Sequence, residues 1–353
     1  MQHVLPLEQC TEDLADLVGG KALGLGSLLR EGFQVPTGFC VPANVYSDTL
    51  VATGLDREIV EIVESGAVKT LDEASARIRE LFENEPLPAE VAAEVTAAYE
   101  QLPEGAQTPV AVRSSARGED SADASFAGQQ ESYLWIRGNE EVHRHIMRCW
   151  GSLFTPQAIS YRADRRIRLE NVAMCVVVQQ MVPAEAAGVM FTLDPLTGDP
   201  SQICIEASYG LGTAVVGGEV TPDRFVVDKV TLELRDQETH AKPFAHRFDP
   251  DTGSVRNFDI PDTEQDEPCL STEEVIEIAR LGKTIERTFG APQDIEIAVA
   301  GAGTPRDVYL LQTRPETVWS KRKAERKSLV EPGTSVLDRM LVTMRKPMKI
   351  VED

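Results

Sequence analysis

Two arginines stand at the start of a run of small and polar residues. In VAVRSSARGEDSADASFAGQQES, Arg113 ends a short apolar segment, Arg117 follows closely, and Gly128 lies further along the run. Small side chains let backbone N–H groups approach phosphate oxygens, and arginine binds such oxygens through paired hydrogen bonds. The pattern therefore fits a polyphosphate ligand. A surface loop with two solvated arginines explains it equally well.

A lysine stands where a helix is predicted to start. In GGKALGLGSLLREGF, Gly19 and Gly20 predict a turn before Lys21, and the leucines that follow predict a helix that ends at Gly32. A cation is unfavourable at a helix N-terminus, whereas a bound anion is favoured there. We therefore expect Lys21 to reach for a phosphate, although GGK alone lacks the spacing of a P-loop.

An acid, an amide and an arginine come together in the last two predicted strands. If AGAGTPR is a turn, DIEIAVA and DVYLLQT pair antiparallel, and Glu296 lies opposite Gln312 with Cβ atoms about 4.5–5.5 Å apart. Such oxygen ligands suit Mg²⁺, which also binds substrate phosphates. Alternation places Val308, Leu310, Gln312 and Arg314 on one face. The alternative is a strand face that becomes polar at its exposed end.

The elements that must position these residues change in character along the chain. Helical periodicity dominates residues 44–102 and 139–167, and PVAVR and SYLWIR are predicted strands between them. From about residue 171 the strand candidates are NVAMCVVVQQMV, AAGVMFTL, QICIEAS, RFVVD and TLEL. A glycine-rich turn, SYGLGTAVVGGEVTPD, follows the third of these.

One further helix and a tail complete the second part. Ser271 with Glu274 is a capping box, and Gly290 closes the helix that it starts. We expect an α/β (α+β) fold with a helix-rich lobe at 1–180, a sheet-rich lobe at 181–320, and a basic linker with a short helical tail at 321–353. The apolar stripe of that tail is expected to dock on a partner.

Composition narrows the classes of function. The formal net charge of −22 excludes nucleic acid as the expected partner, because phosphate-backbone binding needs a broad basic surface. The longest apolar run, VAMCVVV, is far too short to span a bilayer, and MQHVLPLEQC does not resemble a secretory signal. The six cysteines are scattered without metal-site spacing, and Cys175 and Cys204, which lie in apolar strand-like runs, are predicted to be buried free thiols. We expect a cytoplasmic protein that does not contact membranes.

Several long sequence words resemble one enzyme family. VGGKALGLGSLL, AVRSSARGEDSADASFAGQQESYL, VVVQQMVPAEAAGVMFTLDP, EASYGLGTAVVGGEVTPDRFVV and VYLLQTRPET are similar to the nucleotide-binding domain of phosphoenolpyruvate synthase-type dikinases. Rifampin phosphotransferases and pyruvate, phosphate dikinases share the pattern. The resemblance covers about residues 10–320 in the family's order. It implies an ATP-grasp fold that holds ATP between two lobes.

The resemblance also implies roles for individual residues. Arg117 and Gly118 depart from the synthase pattern, where a small hydroxyl residue and an alanine are expected, so the nucleotide geometry at that corner is open. The implied set comprises phosphate-binding and catalytic Lys21, Arg113 and Arg314, loop residues Gly128 and Ser132, Gln179 beside the nucleotide, and Glu296 and Gln312 as Mg²⁺ ligands.

The family's phosphocarrier histidine has no counterpart in this sequence. Relatives carry it in a T-x-G-G-x-x-x-H-like setting on a mobile domain, and none of the five histidines here has such a setting. The layout resembles the ATP-binding subunit of phenylphosphate synthase. We therefore expect transfer of the β-phosphoryl group of Mg·ATP to a histidine on a separate partner subunit that also binds the final acceptor, phenol or pyruvate. The alternative is a non-catalytic ATP-sensing module. An ATP-grasp ligase is disfavoured by the residues that make up the motifs.

Overall fold

The computed structural model describes residues 2–64, 68–116, 131–165 and 172–320. Residues 1–315 form one compact unit, and residues 316–353 form a second. The predicted basic linker and helical tail lie outside the described residues. No helix among the described residues is long and apolar enough to cross a lipid bilayer.

Helices and strands alternate in blocks along the described chain. The helices are α1 Ala15–Arg30, α2 Ala43–Thr53, α3 Leu55–Glu64, α4 Leu71–Asn84, α5 Ala89–Glu100, α6 Asn139–Gly151, α7 Pro156–Arg165, α8 Thr213–Val216 and α9 Thr272–Phe289. The strands are β1 Leu5–Pro6, β2 Gly38–Val41, β3 Val110–Ala116, β4 Ser132–Ile136, β5 Met174–Gln180, β6 Ala186–Phe191, β7 Gln202–Tyr209, β8 Asp223–Asp228, β9 Leu234–Glu238, β10 Phe244–Asp249, β11 Ser254–Asp259, β12 Gln293–Ala300 and β13 Asp307–Pro315.

The first sheet has the strand order β1-β2-β5-β3-β4, and every neighbouring pair is antiparallel. One face of β3 and β5 carries valines that pack against helices α2 to α7 in a single apolar core. Aromatic side chains fill its centre: the Tyr46 ring meets Trp150 edge-on at 5.8 Å and lies parallel to Phe82 at 6.5 Å. This core makes β3 a rigid base for Arg113.

The second sheet has the order β13-β12-β6-β7-β8-β9, again antiparallel throughout. Helix α9 covers one face, and α1 packs in the same core, where Leu25 and Leu28 join residues of β7 and β12. Cys175 and Val177 of β5 also belong to this core, which therefore joins the two sheets. The arrangement confirms the predicted α+β class.

Most predicted elements are confirmed, with two differences in the second half of the chain. The capping box of α9 is present, with Ser271 accepting from the Glu274 N–H at 3.2 Å. The predicted strand TLEL is wrong, because the chain turns there with Leu232 at φ 59° and β9 starts at Leu234. The β10–β11 hairpin is an addition that the sequence did not indicate. The prediction of buried free thiols is confirmed for Cys175 and Cys204, and the other four cysteines are buried and free as well.

The predicted lobe boundary falls between the two sheets. Strand β5 of the first sheet ends at Gln180, and β6 of the second sheet begins at Ala186. Helix α1 comes from the N-terminal part of the chain but contacts β13 of the second sheet. The division into lobes at 180 and 320 stays a prediction.

Candidate functional site: a cleft around Arg113

A cleft of about 410 Å³ opens between the two sheets. Its walls come from β3, β4 and the end of β5 on one side, and from β6, β12, β13 and the segment around α8 on the other. The lining includes four of the residues that the sequence singled out, namely Arg113, Ser132, Gln179 and Glu296.

Arg113 ties the two sheets together across this cleft. One guanidinium nitrogen, Nη2, donates to Glu296 Oε2 at 2.8 Å and to Gln312 Oε1 at 2.8 Å, and Nη1 donates to the carbonyl of Leu311 at 3.3 Å. The Arg113 side chain is 14% exposed and that of Glu296 is 32% exposed. The arginine therefore contacts both predicted metal ligands, although 183 residues separate it from Glu296.

An extra residue in β13 sets this geometry. Glu296 lies opposite Gln312, as predicted, but the next residue, Ile297, lies opposite Leu310, so Leu311 is a bulge. A bulge leaves one residue of the ladder unpaired and re-aims its neighbours. The carbonyl of Leu311 is the one that accepts from Arg113.

The bulge overturns part of the predicted alternation. Val308 and Leu310 belong to the buried core beneath the sheet, whereas Gln312 shares the opposite face with its partner Glu296. Placing Val308, Leu310 and Gln312 on one face was wrong, because a strict period of two does not hold across an extra residue. Arg314 does lie on the same face as Gln312, one step further along β13.

Arg314 lies at the edge of the site. Its Nε donates to Asp294 Oδ2 at 3.3 Å, and its side chain is 53% exposed. Neither Arg314 nor Lys21 is among the described residues that line the cleft. Their predicted contacts with phosphate stay predictions.

Lys21 is buried close to a break in α1. The backbone at Gly19 leaves the helical conformation, with φ 71° and ψ 170°, so the predicted glycine turn is present inside a longer helix. The Lys21 N–H donates to Ser115 Oγ at 3.3 Å. Burial raises the pKa of the Cys149 thiol, and the nearby positive charge of Lys21 opposes that rise.

Gln179 and the segment after it form the less polar end of the cleft. Gln179 is buried, and its Nε2 donates to the Pro36 carbonyl at 3.4 Å. Met181, Val182 and Ala184 follow it in the lining. An apolar wall with a few polar groups is typical of small-molecule sites and suits a flat base. In the sequence this wall is the segment MVPAEA, whose apolar residues show no periodicity that would indicate a ligand-binding wall.

Some of the remaining candidate residues line the cleft, and the others lie outside the described residues. Ser132 begins β4 opposite Arg113 and lines the cleft. Gly212 and Gly217 of the glycine-rich turn also line it. The predicted loop residue Gly128, together with Arg117 and Gly118, lies outside the described residues.

A second cavity, of about 840 Å³, adjoins the cleft. The two share Ser132, Leu134 and Thr213. The second cavity also contains two histidines, His145 and His246. These are the histidines to examine if the chain carries a phosphoryl group itself.

The protein's contribution to a metal site is small but chemically suitable. No group of three or more histidine, cysteine, aspartate or glutamate side chains in the described ranges is arranged to hold a metal. Glu296 and Gln312 supply one carboxylate and one amide oxygen around the same point, because both accept from Arg113 Nη2. Such a pair fits Mg²⁺, which usually takes its other ligands from phosphates and water.

The protein is an α+β, ATP-grasp-like domain. The sequence matches the family of the pyruvate phosphate dikinase AMP/ATP-binding domain over residues 15–332. The chain belongs to this family.

Relatives with assigned names agree. The chain is 42% identical to a probable phosphoenolpyruvate synthase of Staphylothermus marinus, over 93% of this chain and 43% of that protein. It is 41% identical to the phosphoenolpyruvate synthase of Aeropyrum pernix, with 91% and 43% covered. A rifampicin phosphotransferase of a Streptomyces species is 39% identical, with 85% and 34% covered. The chain thus spans less than half the length of these relatives.

Proposed function

We propose that the cleft binds Mg·ATP and that the chain is the ATP-binding part of a dikinase-type phosphotransferase. The observation that carries this proposal is the contact of Arg113 with Glu296 and Gln312 in the cleft. It brings a guanidinium, which binds phosphate, and two oxygen ligands, which suit Mg²⁺, to one point. The 410 Å³ cleft is of the size expected for a small-molecule site.

The residues act by positioning and by neutralising charge. Arg113 is anchored on β3, and its contacts to Glu296 and Gln312 keep the guanidinium at the polar end of the cleft. When nucleotide binds, phosphate oxygens accept hydrogen bonds from some of the N–H donors of Arg113. Lys21 and Arg314 add positive charge. Glu296 and Gln312 would hold Mg²⁺, which would supply further neutralisation of the phosphate charge. No side chain of the set needs to exchange a proton, because phosphoryl transfer depends mainly on orientation and electrostatic stabilisation.

The phosphoryl acceptor in this proposal is a histidine on a partner subunit. Transfer of the β-phosphoryl group to that histidine, with uptake of water, releases AMP and orthophosphate. Each histidine ring of this chain makes a contact of its own: His3 with Glu94, His143 with Thr96, His145 with the Glu141 carbonyl, His240 with the Pro222 carbonyl and His246 with Thr213. The partner passes the group to a small acceptor, phenol as in phenylphosphate synthase, or pyruvate.

The test follows ATP labelled at the β-phosphorus. With a histidine-bearing candidate partner added, we expect AMP and label on that partner that is lost in acid and kept in base. The chain alone is expected to bind Mg·ATP without transferring label. Arg113→Ala serves as the binding-deficient control.

Two results would overturn the proposal. Label held by this chain alone, and lost in His145→Asn or His246→Asn, would place the carrier in the adjoining cavity. Tight ATP binding without AMP formation, with every candidate partner tried, would instead support an ATP-sensing module.

A further inference from the structure

The break in α1 interrupts the helical hydrogen bonding just before Lys21. Gly19, at φ 71° and ψ 170°, separates the first turn of α1 from the segment that begins at Gly20. The first N–H groups of any helical segment have no carbonyl four residues earlier to bond to. Lys21 is the second residue of the new segment, so its N–H is such a group.

A serine from another strand supplies the missing partner. The Lys21 N–H donates to Ser115 Oγ at 3.3 Å, and this hydroxyl donates to the Val18 carbonyl at 3.4 Å. In an ordinary helix the side chain of the N-cap residue, two or three positions earlier, accepts the first of these hydrogen bonds. Here it comes from β3, which is 94 residues away in sequence. Ser115 is fully buried.

Ser115 also connects Lys21 with Arg113. Arg113 and Ser115 are two residues apart on β3 and pair with Val177 and Cys175 of β5, so they lie on the same face of the first sheet. In an extended strand their Cα atoms are about 7 Å apart. The strand that carries the cleft arginine thus fixes the start of the helical segment that carries the lysine.

The rest of that segment is fixed independently. A Cβ on Gly24 would lie 2.7 Å from the Thr313 carbonyl of β13, so helix and strand touch backbone to backbone. The helix body would therefore stay in place if the serine hydroxyl were lost. Only its first turn, with Lys21, would be released.

We propose that Ser115 is a positioning residue that sets Lys21 in register with Arg113 for binding the ATP phosphates. The inference rests on the proposed function, since it assumes that Lys21 contacts nucleotide. Ser115 itself acts through the backbone of Lys21, and its hydroxyl is not needed to touch the ligand.

The experiment is a double-mutant cycle on Mg·ATP affinity, measured by calorimetric titration of the chain. Lys21→Ala is expected to weaken binding at least tenfold. Ser115→Ala should weaken it about three- to tenfold while the lysine is present, since a neutral buried hydrogen bond is worth that much. In the Lys21→Ala background the same serine change should have less than a twofold effect, because nothing remains to be positioned.

Controls separate positioning from general destabilisation. Ser75→Ala removes another buried serine hydroxyl, in α4 within the first core, and should leave affinity unchanged in both backgrounds. Ser115→Cys keeps the side-chain volume with a weaker acceptor, so it tests the same contact if the alanine variant does not fold. Denaturant unfolding confirms that each variant is folded.

The outcomes distinguish the two proposals. If Lys21→Ala leaves affinity unchanged, the assignment of Lys21 to the phosphate site fails. If Lys21→Ala weakens binding and the Ser115 change has the same effect in both backgrounds, the positioning role of Ser115 is refuted while the nucleotide site stands.

Discussion

Replacing Gly19 by alanine tests the contact between α1 and β3 directly. The backbone at Gly19 lies in a region that residues with a Cβ almost never adopt, and such strain costs about 1–3 kcal/mol. An added Cβ would also lie 2.5 Å from Ser115 Oγ and 2.8 Å from the Ser115 carbonyl oxygen. The backbone oxygen cannot rotate away, so the overlap adds about 1–3 kcal/mol. We expect a total loss of about 4 kcal/mol from the free energy of unfolding.

Gly54→Ala is the matched control. Gly54 also has a positive φ, 82° with ψ 5°, but its Cβ would meet nothing within 4 Å. Its cost is therefore the left-handed conformation alone, about 1–2 kcal/mol. Both variants lose the same glycine flexibility in the unfolded chain, which cancels in the comparison.

Urea unfolding, followed by circular dichroism, measures the difference. The two variants should differ by about 2 kcal/mol in the free energy of unfolding. With a dependence of that free energy on urea of about 3 kcal/mol per molar, their midpoints should differ by about 0.7 M. Equal midpoints would show that α1 yields to the added methyl group without cost. The close contact between Gly19 and Ser115 would then not hold the Lys21 segment in place.

Three further outcomes follow from the contacts. Glu296→Gln should reduce the Mg²⁺ dependence of ATP affinity more than affinity in chelator, and an unchanged dependence would remove this residue from the metal site. Lys242→Met should cost about 3–5 kcal/mol in urea unfolding, because it leaves the fully buried Asp223 carboxylate without its cation, although the N–H groups of His240 and Cys269 still donate to it. A loss below about 1 kcal/mol would contradict this. Burial raises the pKa of Glu274, but hydrogen bonds from Arg306 outweigh this effect and hold that pKa at about 2. The ionised Glu274 therefore contributes stability above pH 4.5, and this contribution is lost as the pH falls towards 2. The stability gap between the parent and Arg306→Met should therefore shrink over that range in acid titrations, and a constant gap would refute the coupling.

Local rules predicted the parts of the fold that depend on neighbouring residues. The capping box at Ser271 and the glycine turn before Lys21 are set within a few positions, and both are present. The pairing of Glu296 with Gln312 follows from a short turn between two apolar strands, and it is also present. The dikinase-type sequence words identified the family because they extend along most of the chain.

Other features depend on contacts that no local pattern records. The β10–β11 hairpin was missed because most of its side chains are exposed or only partly buried, so it lacks the apolar alternation of a covered strand. The bonds from Arg113 to Glu296 join residues of different sheets. The hydroxyl of Ser115 gave no signal, since a serine that caps a distant segment looks like any other strand serine.

The bulge at Leu311 has a consequence for the balance between stability and activity. The ladder between β12 and β13 needs one residue fewer than β13 contains, and the surplus residue offers its carbonyl to Arg113. A chain shortened by that residue would keep Leu310 in the core and Gln312 beside Glu296 in a regular hairpin. Such a variant would gain a continuous ladder and lose one acceptor of the guanidinium. Natural proteins keep irregularities of this kind near their sites, where the most stable strand is not the most useful one.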